Sequence, residues 1–549
     1  MGNRKRSGFL FGKNKLLYLL RMKRLKIHFP LLIIVFCTAL VYTRSLENGI
    51  LNWDDNQHIT ENGDIQSLSL HNIQAIFTSS YVSMYHPLVT LSFALEHHFF
   101  GLNAAVYHAT NVLFHLVNVV LVFSVVLLLS RRRAIALMVA CLFGLHPMHV
   151  ESVAWITERK DVVYAFFYLC ALLWYLRYLQ EGSRKHYWMV SVCFLLSLLS
   201  KTTAMTLPVV LFLIDFYTGR RVSRRSILEK IPLFLLSLIF GLIALHSQGG
   251  GPQILVASSF QGIDRIFLAS YSLCYYLIHV FLPMNLSALH WLPVKTGGLL
   301  PVEYYLAPLP LIALAFLGTR KGIFQREYIF GIVFFVIGVS LNLHIVEVGL
   351  AVVSERYTYL AYVGLYYIIG QGCVSLYDRY QDQLFPWKRA MLMGAALVAL
   401  FFGYLTYQRI GVWYNTSVLL QDAAVKTKNP VESDFIHMLA YEHEGAEMNS
   451  MKQYTEALER FNQAITLNPQ YSKLYYNRGI SNYYLHKYAD AMRDYGKAIE
   501  LNPLFAQAYF NRAVIFLLWN KQEEACADLW SAYRLGLHDA LNIIHTKCF

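Results

Sequence analysis

The sequence predicts an all-α fold: a polytopic membrane helical bundle of about eleven spans, followed by an α-solenoid of about three short repeats. Three observations predict this architecture. Of the 549 residues, 56% are hydrophobic and 15% are charged, whereas soluble proteins carry about 25% charged residues. Apolar stretches long enough to cross a bilayer recur as far as Tyr407. The C-terminal residues repeat with a period of 34.

These observations divide the chain into four segments. We predict a basic N-terminus at 1–28, a membrane domain at 29–407, a linker at 408–429 and a repeat domain at 430–549. The boundary near 408 lies where the long apolar stretches stop, and the repeat pattern begins after the linker.

The charge distribution predicts which ends of the spans face the cytoplasm. The formal net charge is +13, and nine basic residues lie between Arg4 and Lys26 with no acidic residue before Glu47. Further basic residues lie in short loops at 131–133 and 220–225. Cytoplasmic loops carry such an excess of Lys and Arg, so the N-terminus is predicted to be cytoplasmic. Because no basic patch lies on a soluble face, nucleic acid is excluded as a partner.

The apolar runs and the basic loops together predict eleven net crossings. Residues 45–103 and 149–161 then form outer loops, and the repeats lie on the extracytoplasmic side. The run 264–284 breaks the alternation, and three interpretations stay open: a re-entrant or membrane-parallel segment, a second short crossing after it, or a different orientation downstream. The candidate spans are roughly 29–44, 104–130, 134–148, 162–180, 187–200, 203–217, 231–247, 303–318, 327–345, 357–376 and 389–407.

The C-terminal period is that of the tetratricopeptide repeat. Its small residues let paired helices pack closely, and its proline ends the second helix. A third copy has Leu537 where the proline is expected, as a terminal capping repeat does. Such arrays bind protein partners, and the alternative is an appendage that only stabilises the chain. The recurring pairs are Tyr454 and Tyr488, Ala457 and Ala491, Ala464 and Ala498, Pro469 and Pro503, and Asn477 and Asn511.

The first outer loop carries two adjacent carboxylates, Asp54 and Asp55. Carboxylates beside a bilayer are costly to desolvate, so a pair there indicates a general base, a metal site or a cation pathway. The competing interpretation is an exposed loop in which one Asp caps a helix.

A polar stripe follows on the span 104–130. His108, Asn111, His115 and Asn118 recur at spacings of 3, 4 and 3, which places them on one helical face. Such a face either lines a catalytic cavity or forms hydrogen bonds to neighbouring helices. We favour the second interpretation.

The second outer segment has the densest charge near the membrane. The spacing of its histidines matches no zinc motif, and six of the eight cysteines lie in apolar stretches, so no metal site is predicted. Acidic and basic groups together suit an acceptor hydroxyl beside a phosphate-bearing lipid. The candidate binding residues are His146, His149, Glu151, Arg159, Lys160 and Asp161.

Two further polar insertions supply candidate binding residues. Lys201 lies between consecutive apolar runs, and Glu355, Arg356 and Tyr357 lie at the outer end of another. Arg is suited to bidentate phosphate contacts and Lys to a point-charge contact. The alternative is that these residues only snorkel at span ends.

In this order, these motifs resemble the transmembrane and tetratricopeptide repeat-containing O-mannosyltransferases, the TMTC family, and their bacterial relatives. The segment 146–161 is specific by itself, and the others are specific only together. The resemblance is carried by Trp53-Asp54-Asp55, residues 85–95, 108–118, 146–151, 159–161, 200–201 and 354–357, and the repeats.

The resemblance implies a GT-C-like fold and a glycosyltransferase. The enzyme would transfer mannose or a similar hexose from a polyprenyl- or dolichyl-phosphate donor to a protein Ser or Thr hydroxyl or a surface glycan. Asp54 would be the general base, Asp55 would orient it, and the anomeric carbon would invert. Arg356, with Arg159 or Lys160 as competitors, would stabilise the leaving phosphate. No cofactor is required, although acidic residues of the outer loops could hold a divalent cation.

The short repeat array differs from the long arrays of the animal family. It favours a bacterial inner membrane, with the endoplasmic reticulum membrane as the location in a eukaryote. Two other functions compete: a non-catalytic membrane scaffold that recruits partners through its repeats, and a lipid-linked sugar transporter. The membrane part shows no internal repeat, which weighs against a transporter.

Overall fold

The computed structural model describes residues 29–248, 260, 262–318, 326–343, 351–379, 386–427 and 429–548. Within these ranges the regular structure is helical, and only three isolated β-bridges occur. The predicted all-α class is therefore confirmed. The predicted cytoplasmic N-terminus at 1–28 lies outside the described residues.

Contacts divide the chain into two compact units, the first ending at Tyr414 and the second beginning at Asn415. Short 3-10 or π turns join several helices of the first unit. Its α-helices are α1 Phe29–Glu47, α2 Leu70–Thr78, α3 Pro87–Phe100, α4 Ala104–Ser130, α5 Arg133–Leu145, α6 Val150–Ala154, α7 Arg159–Glu181, α8 Arg184–Leu198, α9 Leu207–Thr218, α10 Arg224–Leu228, α11 Ile231–Gln248, α12 Gly262–His279, α13 Val302–Leu306, α14 Pro308–Gly318, α15 Arg326–Val339, α16 Tyr362–Arg379 and α17 Pro386–Val412.

The helices of the first unit identify a multi-pass membrane protein. Among the described residues, five helices are long and apolar enough to cross a bilayer, or six if the bent pair Arg133–Leu145 and Pro147–Ala154 forms one span. The five are Phe29–Glu47, Ala104–Ser130, Arg159–Glu181, Arg224–Ser247 and Arg389–Val412. Most of the other predicted spans coincide with helices that do not meet this test of length and composition. The ambiguous run 264–284 contains the helix Gly262–His279. The total of eleven crossings stays a prediction.

The polar stripe of α4 faces its helical neighbours. All four side chains are buried, and the Asn118 amide donates to the carbonyl of Val162 at 2.9 Å. Nδ1 of His115 lies 2.8 Å from the Tyr359 hydroxyl. These hydrogen bonds hold α4 against α7 and the segment before α16, so the stripe serves packing, as favoured from the sequence.

The second unit consists of one helix followed by three helix pairs and a final short helix. A short turn joins the two helices of each pair, and small residues lie where the paired helices touch. A Cβ added at Gly445 would lie 2.7 Å from the ring of Phe461, and one at Gly479 would lie 2.6 Å from Tyr495. The helices are α18 Thr416–Lys426, α19 Pro430–Ser450, α20 Tyr454–Leu467, α21 Ser472–Tyr484, α22 Tyr488–Leu501, α23 Ala506–Leu518, α24 Gln522–Arg534 and α25 Ala540–Lys547.

The segment predicted as a linker, 408–429, is largely helical. Helix α17 continues to Val412, and α18 packs against α19 through the buried Leu419 and Ala423. Periodic burial of apolar residues turns this stretch into the first layer of the second unit. The boundary therefore lies between Tyr414 and Asn415.

A disulfide closes the end of the second unit. Cys526 in α24 is bonded to Cys548, with their Cα atoms 5.7 Å apart. The bond fastens α25 over the last repeat, where Ala540 and Ile544 join a buried cluster with Leu529. This cross-link was not predicted, since two cysteines 22 positions apart carry no motif.

Candidate functional site

Asp55 ties the first outer loop to the second outer segment. Its side chain is fully buried, and its carboxylate accepts hydrogen bonds from the Leu51 N–H at 2.9 Å and the Thr157 N–H at 3.1 Å. The Thr157 hydroxyl donates to the same carboxylate. Burial raises the pKa of Asp55 to about 6, while the hydrogen bonds from Thr157 and Leu51 act in the opposite direction.

Asp54 precedes the anchored Asp55 in the chain and has a different environment. It is only partly buried, and its carboxylate accepts no hydrogen bond from any residue that the structure describes. Burial raises the pKa of Asp54, Lys160 and Arg356 oppose that rise, and the negative charge of Glu158 adds to it. A carboxylate with a raised pKa and free lone pairs can accept a proton.

Beside Asp54 lies a cluster of alternating charges. Glu158 is buried, with its carboxylate 3.1 Å from Lys160 Nζ, 3.4 Å from Arg356 Nε and 3.9 Å from Lys201 Nζ. Lys201 also pairs with Asp161. Burial acts to raise the pKa of Glu158, but the three cations outweigh it and hold that pKa below the usual range. Three cations therefore converge on one carboxylate.

Arg356 is the most exposed cation of this cluster, with 22% of its side chain accessible. The backbone N–H of Arg356 donates to the Glu151 carboxylate at 3.1 Å, and the guanidinium pairs with the same carboxylate. The guanidinium also lies 5.6 Å from the Trp155 ring centre and 5.3 Å from that of Tyr357. A partly accessible guanidinium held on two sides is suited to contact an anion.

Aromatic rings border the cluster. Trp155 lies 5.6 Å from Trp53 and stacks on Trp413 at 5.4 Å, measured between ring centroids. These rings lower the polarity next to Asp54 and Arg356, which strengthens electrostatic interactions there.

Arg159 is held in the packed interior. Its guanidinium pairs with Glu96 at 2.6 Å, and it donates to Asn111 Oδ1 and the Tyr107 carbonyl, both at 2.8 Å. Its Nη1 also donates to Ser92 at 3.1 Å. None of its side chain is exposed, so the structure does not offer Arg159 to a donor phosphate as the sequence suggested.

The structure also separates three other predicted binding residues from the cluster. His146 and His149 lie among tyrosine and phenylalanine rings, where Nε2 of His146 lies 3.2 Å from the Val280 carbonyl. Glu355 is buried and pairs with Arg409 at 2.8 Å. These side chains position the segments that carry Glu151 and Arg356.

No group of three His, Cys, Asp or Glu side chains suited to a metal ion occurs among the described residues. Two buried histidines near the cluster, His58 and His86, were not predicted as site residues, although His86 lies in the stretch 85–95. Their ring centroids are 4.9 Å apart. Burial lowers their pKa values, to about 2 for His58 and about 3 for His86. Both rings are therefore neutral at physiological pH.

Thr157 and Glu158 were also missed as site residues. Both lie next to Arg159-Lys160-Asp161 in the sequence. Only the fold shows that the turn before α7 brings Thr157 to Asp55 of the first outer loop. It likewise brings Glu158 into the charged cluster. The sequence feature that could have indicated these two site residues is the uninterrupted run of polar residues from 157 to 161.

Replacing Asp55 by Ala is expected to destabilise the first unit by about 1–3 kcal/mol, because the buried donors of Leu51 and Thr157 would lose their acceptor. Thermal unfolding of the purified protein in detergent measures the effect. Glu61→Ala, an exposed carboxylate in the same loop, is the control and should change little. Equal stability of the two variants would contradict the anchoring role.

Comparisons with known proteins agree with the repeat domain. Models of the tetratricopeptide repeat match residues 445–485, 472–505 and 495–527. The predicted array of repeats is therefore confirmed.

Curated relatives carry the second comparison. The chain is 33% identical over 155 residues to protein O-mannosyl-transferase TMTC1 of Mus musculus. It is 34% identical over 152 residues to TMTC2 of Homo sapiens and 29% identical over 175 residues to TMTC4 of Homo sapiens. The resemblance to the TMTC proteins is confirmed. The alignments cover 26%, 27% and 28% of this chain, but only 16%, 18% and 24% of these TMTC proteins.

A solved structure also aligns with most of the chain: ArnT from Cupriavidus metallidurans bound to undecaprenyl phosphate. The alignment covers 87% of this chain and 80% of that one, with 13% identity and a TM-score of 0.35. With this identity and TM-score, the alignment supports no inference about mechanism.

Proposed function

We propose that the chain is an integral membrane glycosyltransferase with a GT-C-like fold. It transfers mannose or a similar hexose from a polyprenyl-phosphate donor to a protein Ser or Thr hydroxyl or a surface glycan. The observation that carries the proposal is the partly exposed Asp54 carboxylate beside Lys160 and Arg356, next to the start of a membrane helix. The resemblance to the TMTC O-mannosyl-transferases supports the same chemistry.

In the proposed reaction, Asp54 accepts the proton of the acceptor hydroxyl. The hydroxyl oxygen forms a bond to the anomeric carbon, and the bond from that carbon to the phosphate oxygen breaks. The electron pair stays on the leaving polyprenyl phosphate, and the anomeric carbon inverts. Asp55 orients Asp54 through its hydrogen bonds to Leu51 and Thr157.

The leaving phosphate gains negative charge, which nearby cations stabilise in a poorly hydrated site. Arg356 is the principal candidate because it is the most accessible of the three cations. The other two, Lys160 and Lys201, contact the Glu158 carboxylate. The scheme requires no cofactor. A divalent cation held by acidic residues of the outer loops stays an untested addition.

Purified protein supplied with a panel of polyprenyl-phosphate sugars tests the proposal. Release of polyprenyl phosphate with at least one donor is the expected result, and the donor that reacts identifies the sugar. No release with any donor, in protein whose repeats still bind a partner, would favour the non-catalytic scaffold.

We place the repeats on the extracytoplasmic side, where they bind an acceptor or partner protein. The disulfide between Cys526 and Cys548 supports this placement, because disulfides persist in oxidising compartments such as the bacterial periplasm or the lumen of the endoplasmic reticulum. We place the protein in a bacterial inner membrane, or in the endoplasmic reticulum membrane if its source is a eukaryote.

Cys526 and Cys548 are expected not to react with maleimide when membranes are denatured without reductant, because their sulfur atoms are bonded to each other. Both should react after reduction. Cys526→Ser is expected to lower the stability of the second unit by about 2–4 kcal/mol. Cys193→Ser, at a free cysteine of the membrane unit, is the control. Modification of both cysteines before reduction would contradict the extracytoplasmic placement.

A further inference from the structure

A cavity of about 950 Å³ lies where α4, α7 and α9 end and α15 begins. Helix α7 starts in the charged cluster at Arg159 and ends beside this cavity at Glu181. Its 23 residues span on the order of 30 Å at about 1.5 Å per residue, close to the thickness of a bilayer core. The cavity therefore belongs to the opposite membrane surface from Asp54.

The charged residues that line the cavity are mainly cationic. They are Arg131, Arg220, Arg225, Arg326 and Glu327. Four positive charges face one negative charge, so the lining favours an anion. Guanidinium groups bind phosphate with bidentate hydrogen bonds.

The four arginines of the lining differ in their ion pairs. Arg220 and Arg225 both pair with Glu229, at 2.7 and 3.3 Å. Arg131 and Arg326 are exposed and form no ion pair with a described residue. The lining thus holds two arginines that share one carboxylate and two that can contact a ligand.

The backbone of Arg131 is strained. It caps the C-terminus of α4 with φ of 55°, a left-handed conformation. Gly or Asn usually occupies such a position because a larger side chain is disfavoured there. Residues in such conformations are frequent at functional sites, and Arg131 lines the cavity.

The rest of the wall contains leucines beside polar side chains such as Gln180, Tyr217 and Thr218. Leu128 and Leu129 of α4 and Leu176 and Leu179 of α7 line the same cavity. Leu176 is buried, but Leu128, Leu129 and Leu179 are partly exposed. A free anion would leave these three leucines uncovered, whereas a lipid covers them with hydrocarbon while its phosphate contacts the arginines. Basic pockets between membrane helices on the cytoplasmic side bind the headgroups of anionic lipids in this way.

We propose that this cavity is a binding site for one anionic phospholipid. The headgroup phosphate lies between Arg131 and Arg326, and an acyl chain runs along the leucines of α4 and α7. Under the predicted orientation, the lipid comes from the cytoplasmic leaflet. This site is independent of the proposed transferase activity.

Native mass spectrometry of the purified protein with phosphatidylglycerol and phosphatidylcholine tests the proposal. We expect one phosphatidylglycerol to stay bound where phosphatidylcholine dissociates. In the double variant Arg131→Asn and Arg326→Gln, binding of phosphatidylglycerol should weaken about tenfold or more, since each cation near a membrane surface contributes about 1 kcal/mol. Asn suits the left-handed backbone, and the melting temperature verifies folding.

The control variant Arg184→Gln with Lys185→Gln removes two exposed charges from the start of the neighbouring helix α8 without touching the cavity lining. Its phosphatidylglycerol binding should stay close to that of the unmodified protein. Equal weakening in both variants would overturn the site in favour of diffuse attraction to basic loops. Displacement of the lipid by an equal concentration of inorganic phosphate would overturn the lipid assignment in favour of a free anion.

Discussion

Replacing Asp54 by Asn is expected to lower sugar transfer by about 100- to 10,000-fold, the usual contribution of a general base. The amide keeps the size of the side chain but cannot accept the acceptor proton. Because Asp54 accepts no hydrogen bond from a described residue, the fold should be retained. Transfer rates are measured with the donor found active in the panel, together with the melting temperature and the yield of membrane-inserted protein.

Glu61→Gln provides the matched control, since it neutralises an exposed carboxylate of the same loop. Its transfer rate should stay within about twofold of the unmodified protein, as expected for a surface group that is not part of the site. Full activity of Asp54→Asn would remove this carboxylate from the mechanism. An equal loss in both variants would indicate a general effect of loop charge.

The pH dependence of transfer provides a further measurement on the same carboxylate. The base acts in its ionised form, and burial raises the pKa of Asp54. Activity should therefore fall on acidification at a pH above the ordinary Asp value of about 3.9. An acid limb at or below that value would contradict Asp54 as the base.

Replacing Arg159 by Met is expected to destabilise the first unit by about 3–5 kcal/mol, the cost of breaking a buried ion pair from one side. The substitution leaves the Glu96 carboxylate without its cation and removes the donors to Asn111 and Tyr107. Chemical unfolding in detergent measures the loss. The double variant Arg159→Met with Glu96→Leu should recover most of it, because no buried charge is then left uncompensated.

Lys160→Met is the comparison that separates a structural cation from a functional one. Lys160 shares Glu158 with Arg356 and Lys201, so two cations still balance that carboxylate after the substitution. We expect a smaller loss of stability than for Arg159→Met and a larger loss of transfer. A stable Arg159→Met protein that fails only in donor binding would restore Arg159 as a phosphate ligand.

Composition and periodicity determine the architecture of this protein. Long apolar runs become helices because a bilayer leaves backbone groups no other partners. The 34-residue period becomes stacked helix pairs because small residues such as Gly445 and Gly479 let the aromatic rings of the next helix approach. The helix at 416–426, inside the segment predicted as a linker, was missed because this stretch is too short to indicate a span and its apolar residues are buried only against α19.

The sequence by itself determined that Asp54, Asp55 and the residues 146–161 carry unusual charge for a membrane protein. It could not assign their roles, since Arg159 and Lys160 are neighbours in the chain and successive residues of a helix point in different directions. The tertiary structure turned Arg159 towards Glu96 and Lys160 towards Glu158. It likewise gave Asp55 hydrogen bonds to Leu51 and Thr157, whereas Asp54 accepts none from the described residues. Burial and partners at long sequence separation decide such roles, and only the folded chain supplies them.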